Sequence, residues 1–338
     1  SWSSRWCAPT STACDRSRRR EMRVLVTGAR GFVGRHLTAA LRERGHEVLA
    51  TDHAAHEDAL AVDVTDPLAV LGALELAQAD AIAHLAAQAS VPDSLADPGG
   101  TFAVNARGTL NVLDAARALG EHGAPPRVLV VSSADVYGAQ PPAAYPLRET
   151  TAPLPRNPYA ASKVAAEAIA LAYARSYRVD AVVARAFNHT GPGQDERFAI
   201  PAFAAQLARV EAGLERTILV GNLDASRDVL DVRDVCAAYV LLLEGRGEAG
   251  EIYNVCSGTA TTMRELLRRL IEIARVPVEV REDPARMRPA DVPVSVGDAT
   301  KLREATGWTP GIPLTAVLRA VYDDARTRVP STPSTSSG

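Results

Sequence analysis

The sequence predicts an α/β fold: a doubly wound parallel sheet covered by helices on both faces, followed by a smaller, mixed α/β C-terminal region. Three observations predict it. Short apolar segments alternate with helical ones along the first ~185 residues, as in strand–helix–strand units. Those segments are apolar throughout, as strands buried on both faces are. A glycine-rich turn, T-G-A-R-G-F-V-G, joins the first strand to the first helix.

The elements follow in order. Residues 22–27 (M-R-V-L-V-T) form the first strand, and after the glycine turn residues 32–44 form a helix that stops at Gly45. A second strand covers 47–51 and ends at Asp52. A helix over 67–77 leads to a third strand at 79–85, and a helix over 101–119 to a fourth at 127–132 (R-V-L-V-V-S). A helix over 158–176 precedes the fifth strand, 180–184. Beyond residue 186 the rhythm loosens. A helix at 199–213, a strand at 218–220 and a helix at 232–244 come next. The amphipathic stretch T-T-M-R-E-L-L-R-R-L-I-E-I-A then starts on a threonine cap. This divides the chain into a dinucleotide-binding domain, 22–185, and a region that mainly holds substrate, 186–329. Residues 1–21 lack usable periodicity and the apolar core of a secretory signal, so the folded chain is expected to start at Met22. Residues 330–338, rich in Ser, Thr and Pro, are expected to form a disordered tail.

Composition narrows the function. The formal net charge of −3 gives no footprint for nucleic acid. No apolar run is long enough to span a bilayer. Cys7, Cys14, Cys236 and Cys256 form no C-x-x-C pair, so they read as reduced thiols of a cytoplasmic protein, with no metal site.

The motifs are more specific. Gly28, Gly31 and Gly34 let the backbone turn tightly against a dinucleotide pyrophosphate at a helix N-terminus, with Phe32 and Val33 in that first turn. Their spacing is G-x-x-G-x-x-G; ordinary turns use glycine too, and the strand–turn–helix setting favours the cofactor. Asp52 can accept from a ribose 2′-hydroxyl and repel a 2′-phosphate, which favours NAD(H) and leaves NADP(H) possible; a capping aspartate is the other reading. Asp63, beside Val64, can approach an adenine or be a surface acid. In H-L-A-A-Q, small Ala86 and Ala87 after Leu85 let a cofactor pass, while His84 reads as structural. Ser133 and Asp135 in S-S-A-D-V-Y-G follow the fourth strand, where open α/β sheets bind ligands. Tyr159 and Lys163 in N-P-Y-A-A-S-K share one helix face. An ammonium there is expected to lower the phenol's pKa from ~10 toward general acid/base range. Arg227, Arg286 and Arg288 have the forks that suit a diphosphate, although single arginines are usually surface charges.

G-A-R-G-F-V-G, H-L-A-A-Q, V-N-A-R-G-T, S-S-A-D-V-Y-G and P-Y-A-A-S-K together resemble the extended short-chain dehydrogenase/reductase family of nucleotide-sugar epimerases, dehydratases and reductases, over residues 22–329. The resemblance implies a Rossmann domain, a nicotinamide cofactor, a Ser133–Tyr159–Lys163 triad and an Asn105 that fixes the site's architecture. Its cofactor site would include Gly28, Gly31, Phe32, Val33, Gly34, Asp52, Asp63, Val64, Leu85, Ala86, Ala87, Asn105 and Phe187, with Tyr159 and Lys163. R-A-F-N-H-T-G-P-G-Q, V-G-N-L-D-A-S-R-D and Y-N-V-C-S-G are similar to GDP-mannose 4,6-dehydratases and their partner reductases. R-P-A-D-V-P and K-L-R-E-A-T-G-W-T-P are closer to the reductases. The implied activity is NAD(P)H-dependent reduction of the C4 keto group of GDP-4-keto-6-deoxy-D-mannose to GDP-D-rhamnose, with Ser133, Asn188, Asn222, Arg227 and Arg288 toward substrate. Dehydratases place threonine and glutamate where Ser133 and Asp135 stand, so dehydration fits less well. The alternatives are a 4-epimerase or 4,6-dehydratase that retains NAD, and a non-catalytic NAD-sensing regulator. The resemblance also implies a homodimer, with the helices over 101–119 and 158–176 making a four-helix bundle.

Overall fold

The structure is a computed structural model that describes residues 21–121, 125–287 and 292–329. The first half contains β1 (Arg23–Thr27), α1 (Phe32–Glu43), β2 (Glu47–Asp52), β3 (Leu60–Ala61), α2 (Pro67–Ala77), β4 (Ala81–His84), α3 (Val91–Ala96), α4 (Pro98–Phe102), α5 (Gly108–Gly120), β5 (Arg127–Ser133), α6 (Pro158–Tyr177) and β6 (Ala181–Ala186). The second contains β7 (Asn188–Thr190), α7 (Ala199–Glu211), β8 (Thr217–Val220), β9 (Ser226–Asp231), α8 (Val232–Leu243), β10 (Ile252–Val255), β11 (Ala260–Thr262), α9 (Met263–Ala274), β12 (Glu279–Glu282), β13 (Val294–Ser295), α10 (Thr300–Thr306) and α11 (Leu314–Arg328).

Among the described residues, seven strands form one parallel sheet in the order β10-β6-β5-β4-β1-β2-β3. Alternate side chains leave each strand toward opposite faces. Val24 and Val26 pack with Leu37 and Leu41 of α1 and with Val235 and Tyr239 of α8. Leu25 and Ile82 pack on the other face with Leu74 of α2, Leu113 of α5 and Ala170 of α6. Both faces are covered, so the middle positions of β1, β4, β5 and β6 are apolar. This is a Rossmann-like α/β fold, and its order reverses between β1 and β4, which opens a crevice at their C-terminal ends.

The division read at 185/186 is crossed in space. α8 packs on α1, and β10 adds the last strand beside β6, although both lie beyond residue 186. The remaining elements form a second cluster: α7, α9 and α11 close around Ile218, Leu266, Leu270 and Leu318, next to a small sheet of β7, β9, β11 and β13. Thr262 caps α9 as expected, accepting from the Glu265 N–H at 3.1 Å.

The helix expected over 101–119 differs. It begins at Pro98 and is interrupted by a π turn over Ala103–Arg107, in which the Gly108 N–H reaches back to the Ala103 carbonyl. The turn sets Asn105 into the interior, 1% exposed. Cys236 and Cys256 are free and buried; Cys7 and Cys14 lie outside the described residues. Among the described residues no helix is long and apolar enough to cross a membrane.

Gly34 shows how tightly α1 seats on the turn before it: a Cβ there would stand 2.2 Å from the Gly28 carbonyl oxygen and 2.7 Å from the Ala29 Cα. Gly72 in α2 has nothing within 4 Å of such an atom. Gly34→Ala should therefore cost about 1–3 kcal/mol or more, while Gly72→Ala should be neutral or stabilising by up to ~1 kcal/mol. Urea unfolding of both variants checks this; equal effects would contradict the packing described.

Candidate active site

The crevice between β1 and β4 is lined first by the glycine turn. Gly28 sits at φ 66°, and a Cβ on it would come 2.9 Å from the Ala86 N and Cα. Only glycine lets these backbones touch. Gly31 is the N-cap of α1; it contributes no side-chain cap, and the first turn holds no acidic residue. Its N–H groups and the positive end of the helix are thus offered to an anion. Phe32 in this turn stacks on His189, centroids 6.2 Å apart at 8°. The Val33 carbonyl accepts a weak bond from Cys236 Sγ at 3.9 Å. An uncapped helix start against a close backbone cradle fits a dinucleotide pyrophosphate.

Asp52 ends β2 beside this turn. Its carboxylate accepts from the Arg30 N–H at 3.0 Å and the His53 N–H at 2.8 Å, while the Arg30 guanidinium pairs with Asp58 at 2.8 Å. Arg30 of the glycine turn thus lies next to Asp52, bonded to it through its main-chain N–H. Asp63 is exposed and closes on the Thr65 N–H and hydroxyl, both 2.8 Å, which hold its carboxyl below the usual range. Val64 is buried, and its carbonyl accepts from Asn111 at 2.9 Å.

At the end of β4, His84 is 4% exposed and bridges Thr27 at 2.9 Å and Thr109 at 3.2 Å. Burial, then the charge of Lys163, push it down to about 3. It is a neutral structural link. The Leu85 and Ala86 N–H groups donate to the Thr27 hydroxyl at 3.2 and 3.1 Å, and Ala87 follows, half-buried. Asn105 accepts from the Gln88 N–H at 2.8 Å and donates to the Gln88 carbonyl and to Ser162 Oγ, each at 2.9 Å. It clamps the loop after β4 onto α6.

Ser133, Tyr159 and Asp135 converge at the end of β5. The Ser133 hydroxyl accepts from the Asp135 N–H at 3.2 Å and hydrogen-bonds the Tyr159 phenol. Burial, and then the Asp135 charge, push the phenol's pKa up, against the pull of Ser133. The expectation of a lysine-lowered phenol is corrected: the Lys163 ammonium donates to the Val131 carbonyl at 2.9 Å, and its charge partner is Glu167. Burial pushes Lys163 down to about 8 while Glu167 holds it up. At neutral pH the phenol is therefore a proton donor.

The remaining predicted residues are dispersed. The Phe187 ring is 1% exposed, in a core cluster with Tyr137, Leu147 and Cys256, so it has only main chain to offer a cofactor. Asn188 opens β7, exposed. Asn222 accepts from the Asp224 N–H at 3.0 Å, and Arg227 donates to the carbonyls of Ser226 at 2.9 Å and Val292 at 2.7 Å. Arg286 is exposed and pairs with Asp283 at 3.4 Å. Arg288 lies outside the described residues. Sequence reasoning missed Glu167 and Arg185, a buried ion pair between α6 and β6; the spacing of Glu167, four residues after Lys163, was the available signal.

Known proteins resemble this chain over most of its length. The family model for GDP-mannose 4,6 dehydratase matches residues 25–321. GDP-6-deoxy-D-mannose reductase from Pseudomonas aeruginosa is 44% identical over 308 residues, covering 91% of this chain and 98% of that protein. The structure of the protein called RMD from the same organism, complexed with NADPH, has a TM-score of 0.80 at 42% identity and covers 91% of this chain and 100% of that one. UDP-glucose 4-epimerase from Thermus thermophilus in complex with NAD has a TM-score of 0.81 at 34% identity, covering 91% of this chain and 100% of that one.

Tyr159→Phe should lower turnover ~10²–10⁴-fold, the worth of a positioned proton donor, and leave nicotinamide binding nearly unchanged in a fluorescence titration. In the unaltered protein, Lys163 carries its charge below its pKa of about 8 and loses it above, so turnover should fall as pH rises through about 8. A fully active Tyr159→Phe, or activity that climbs across that range, would remove these assignments.

Proposed function

The chain belongs to the GDP-mannose 4,6 dehydratase family of extended short-chain dehydrogenases/reductases, and from that premise we propose that it reduces the C4 keto group of GDP-4-keto-6-deoxy-D-mannose with NAD(P)H, giving GDP-D-rhamnose. The observation that carries this reading is the Ser133–Tyr159 hydrogen bond at the end of β5, with the phenol held protonated by burial.

Gly28, Gly31 and Gly34 would hold a reduced nicotinamide dinucleotide, which would supply the hydride for C4. Tyr159 gives its proton to the oxygen that gains charge there, and Ser133 donates to the same oxygen. Lys163, one turn along α6, is the positive charge on the face where the phenolate forms. Asp135 opposes that phenolate and so returns Tyr159 to its protonated form between turnovers. Asp52 favours NAD(H); Arg30 and His53 beside it keep NADP(H) possible. Asn188, Asn222, Arg227 and Arg288 are the proposed contacts to the GDP-sugar. Arg227 would act while anchoring the Val292 carbonyl. A cytoplasmic location fits the free thiols Cys236 and Cys256.

Incubation with a panel of 4-keto-6-deoxy nucleotide sugars and NADH or NADPH, following absorbance and product, tests the reading. Stoichiometric consumption of reduced cofactor with the GDP sugar is expected. Tightly co-purifying NAD and turnover without net oxidation would instead identify an epimerase or dehydratase, and no turnover of any keto sugar would leave the non-catalytic regulator.

We also propose that the chain is a homodimer through α5 and α6. The charged residues of α6 before Arg175 are Lys163 and Glu167, and both point inward. Val164, Ala168, Leu171 and Ala172 are left partly or fully exposed, and Phe102 at the end of α4 is 39% exposed. An uncharged apolar helix face of this kind suits a helix-bundle interface. Light scattering at micromolar protein should give twice the chain mass, and Ala168→Glu should halve it. A monomer before substitution would end the proposal.

A further inference from the structure

Three consecutive residues of β5 fasten three residues of α6. The Val131 carbonyl accepts from Lys163 at 2.9 Å, the Ser132 hydroxyl donates to Glu167 at 2.5 Å, and Ser133 bonds Tyr159. Tyr159, Lys163 and Glu167 stand four residues apart on one helix face. Two of these rungs belong to the triad; the third belongs to a carboxylate that the triad does not include.

That carboxylate is closely held. The Glu167 side chain is 4% exposed. Oε1 accepts from the Ser132 hydroxyl and from Arg185 Nε–H at 2.8 Å, and Oε2 accepts from Arg185 Nη2–H at 2.7 Å. The Arg185 guanidinium is itself fixed, 4.7 Å from the centre of the Tyr137 ring and bonded to the Glu149 carbonyl at 3.3 Å. A two-point fork of this kind allows the carboxylate neither rotation nor retreat.

A pair that only glued α6 to β6 could sit anywhere along the seam. This one lies one turn along α6 from Lys163, on the same inward face. The ionisable groups around that ammonium are His84 of β4, Tyr159 and Glu167 of α6, Asp135 after β5 and Arg185 of β6. His84 is neutral. The Asp135 charge acts on Tyr159. The Arg185 guanidinium faces Glu167 and the Tyr137 ring. Glu167 is the charge that favours a protonated Lys163 against the cost of burial.

We propose that Glu167 is a positioning residue for the reaction: locked by Ser132 and Arg185, it keeps the Lys163 ammonium charged and aligned beside Tyr159. The inference rests on the reading of Lys163 given under Proposed function.

The chain contains two lysines, Lys163 and Lys301. Selective ¹³C,¹⁵N-lysine labelling therefore yields two side-chain signals, and Lys301→Arg assigns them. In the full-length protein the Lys163 signal should titrate near 8. Glu167→Gln should lower that midpoint by about one pH unit, because it removes the opposite charge that favours the ammonium. The alkaline fall of turnover should move down with it, and Glu167→Asp should recover most of both. A folded Glu167→Gln with an unmoved midpoint would overturn the proposal. If that variant does not fold, because Arg185 is left buried without a partner, the double variant Glu167→Gln, Arg185→Met removes both charges; losing the guanidinium offsets part of the effect, so its Lys163 midpoint should fall by less than in Glu167→Gln, and no fall at all would overturn the proposal. The titration uses no substrate. A chain that reduces no keto sugar would thus sink the functional reading while this measurement still decides the role of Glu167.

Discussion

The inward face of α6 carries an ammonium and a carboxylate into a packed interior, where an isolated charge would cost several kcal/mol. Placing Lys163 and Glu167 there is tolerable only because β5 and β6 meet them with a carbonyl, a hydroxyl and a guanidinium. The same bonds set the height of α6 over the sheet. That height decides where Tyr159 emerges, at the end of β5 against Ser133. The inverted polarity of the helix has a further effect: with its charges turned inward, α6 shows an apolar face outward.

A second constraint joins the halves of the crevice. The turn after β1 can approach the loop after β4 only because Gly28 has no side chain, and the Thr27 hydroxyl then ties both loops through the Leu85 and Ala86 N–H groups. The second half of the chain is bound to this core by buried polar anchors. Asp228 accepts from the Ser257 and Gly258 N–H groups, each at 2.8 Å, and from the Ser257 hydroxyl at 2.6 Å. Arg44 forks onto Glu244, joining α1 to the end of α8. The loops proposed to hold the sugar are therefore braced against the layer that carries the cradle.

Much of this was legible because it is written locally. The glycine turn, the threonine cap at Thr262 and the i, i+4 spacing of Tyr159 and Lys163 are patterns within one or two turns of chain. What was not legible depends on distant partners. β10 reads as a short strand anywhere, and only its pairing with β6 places it in the main sheet. The pKa of Tyr159 could not be read from its spacing to Lys163, because burial and Asp135 raise it against only the pull of Ser133. Phe187 follows a strand end, where cofactor contacts gather, yet its ring turns into the core with Tyr137. Glu167 looks like a surface acid until Arg185 and Ser132 are brought to it.

The π turn at Ala103–Arg107 adds one residue to the circuit of an otherwise regular helix. Each residue advances an α-helix by ~100°, so the turn acts as a phase shift between α4 and α5. Asn105 sits at that slip, and its amide faces Gln88 and Ser162 because of it. Removing a single residue from this turn would let a regular helix run through, with the side chains on one side of the deletion rotated against those on the other. The clamp between β4 and α6 would open although no contact residue had changed, so chain length here is as much a part of the site as residue identity.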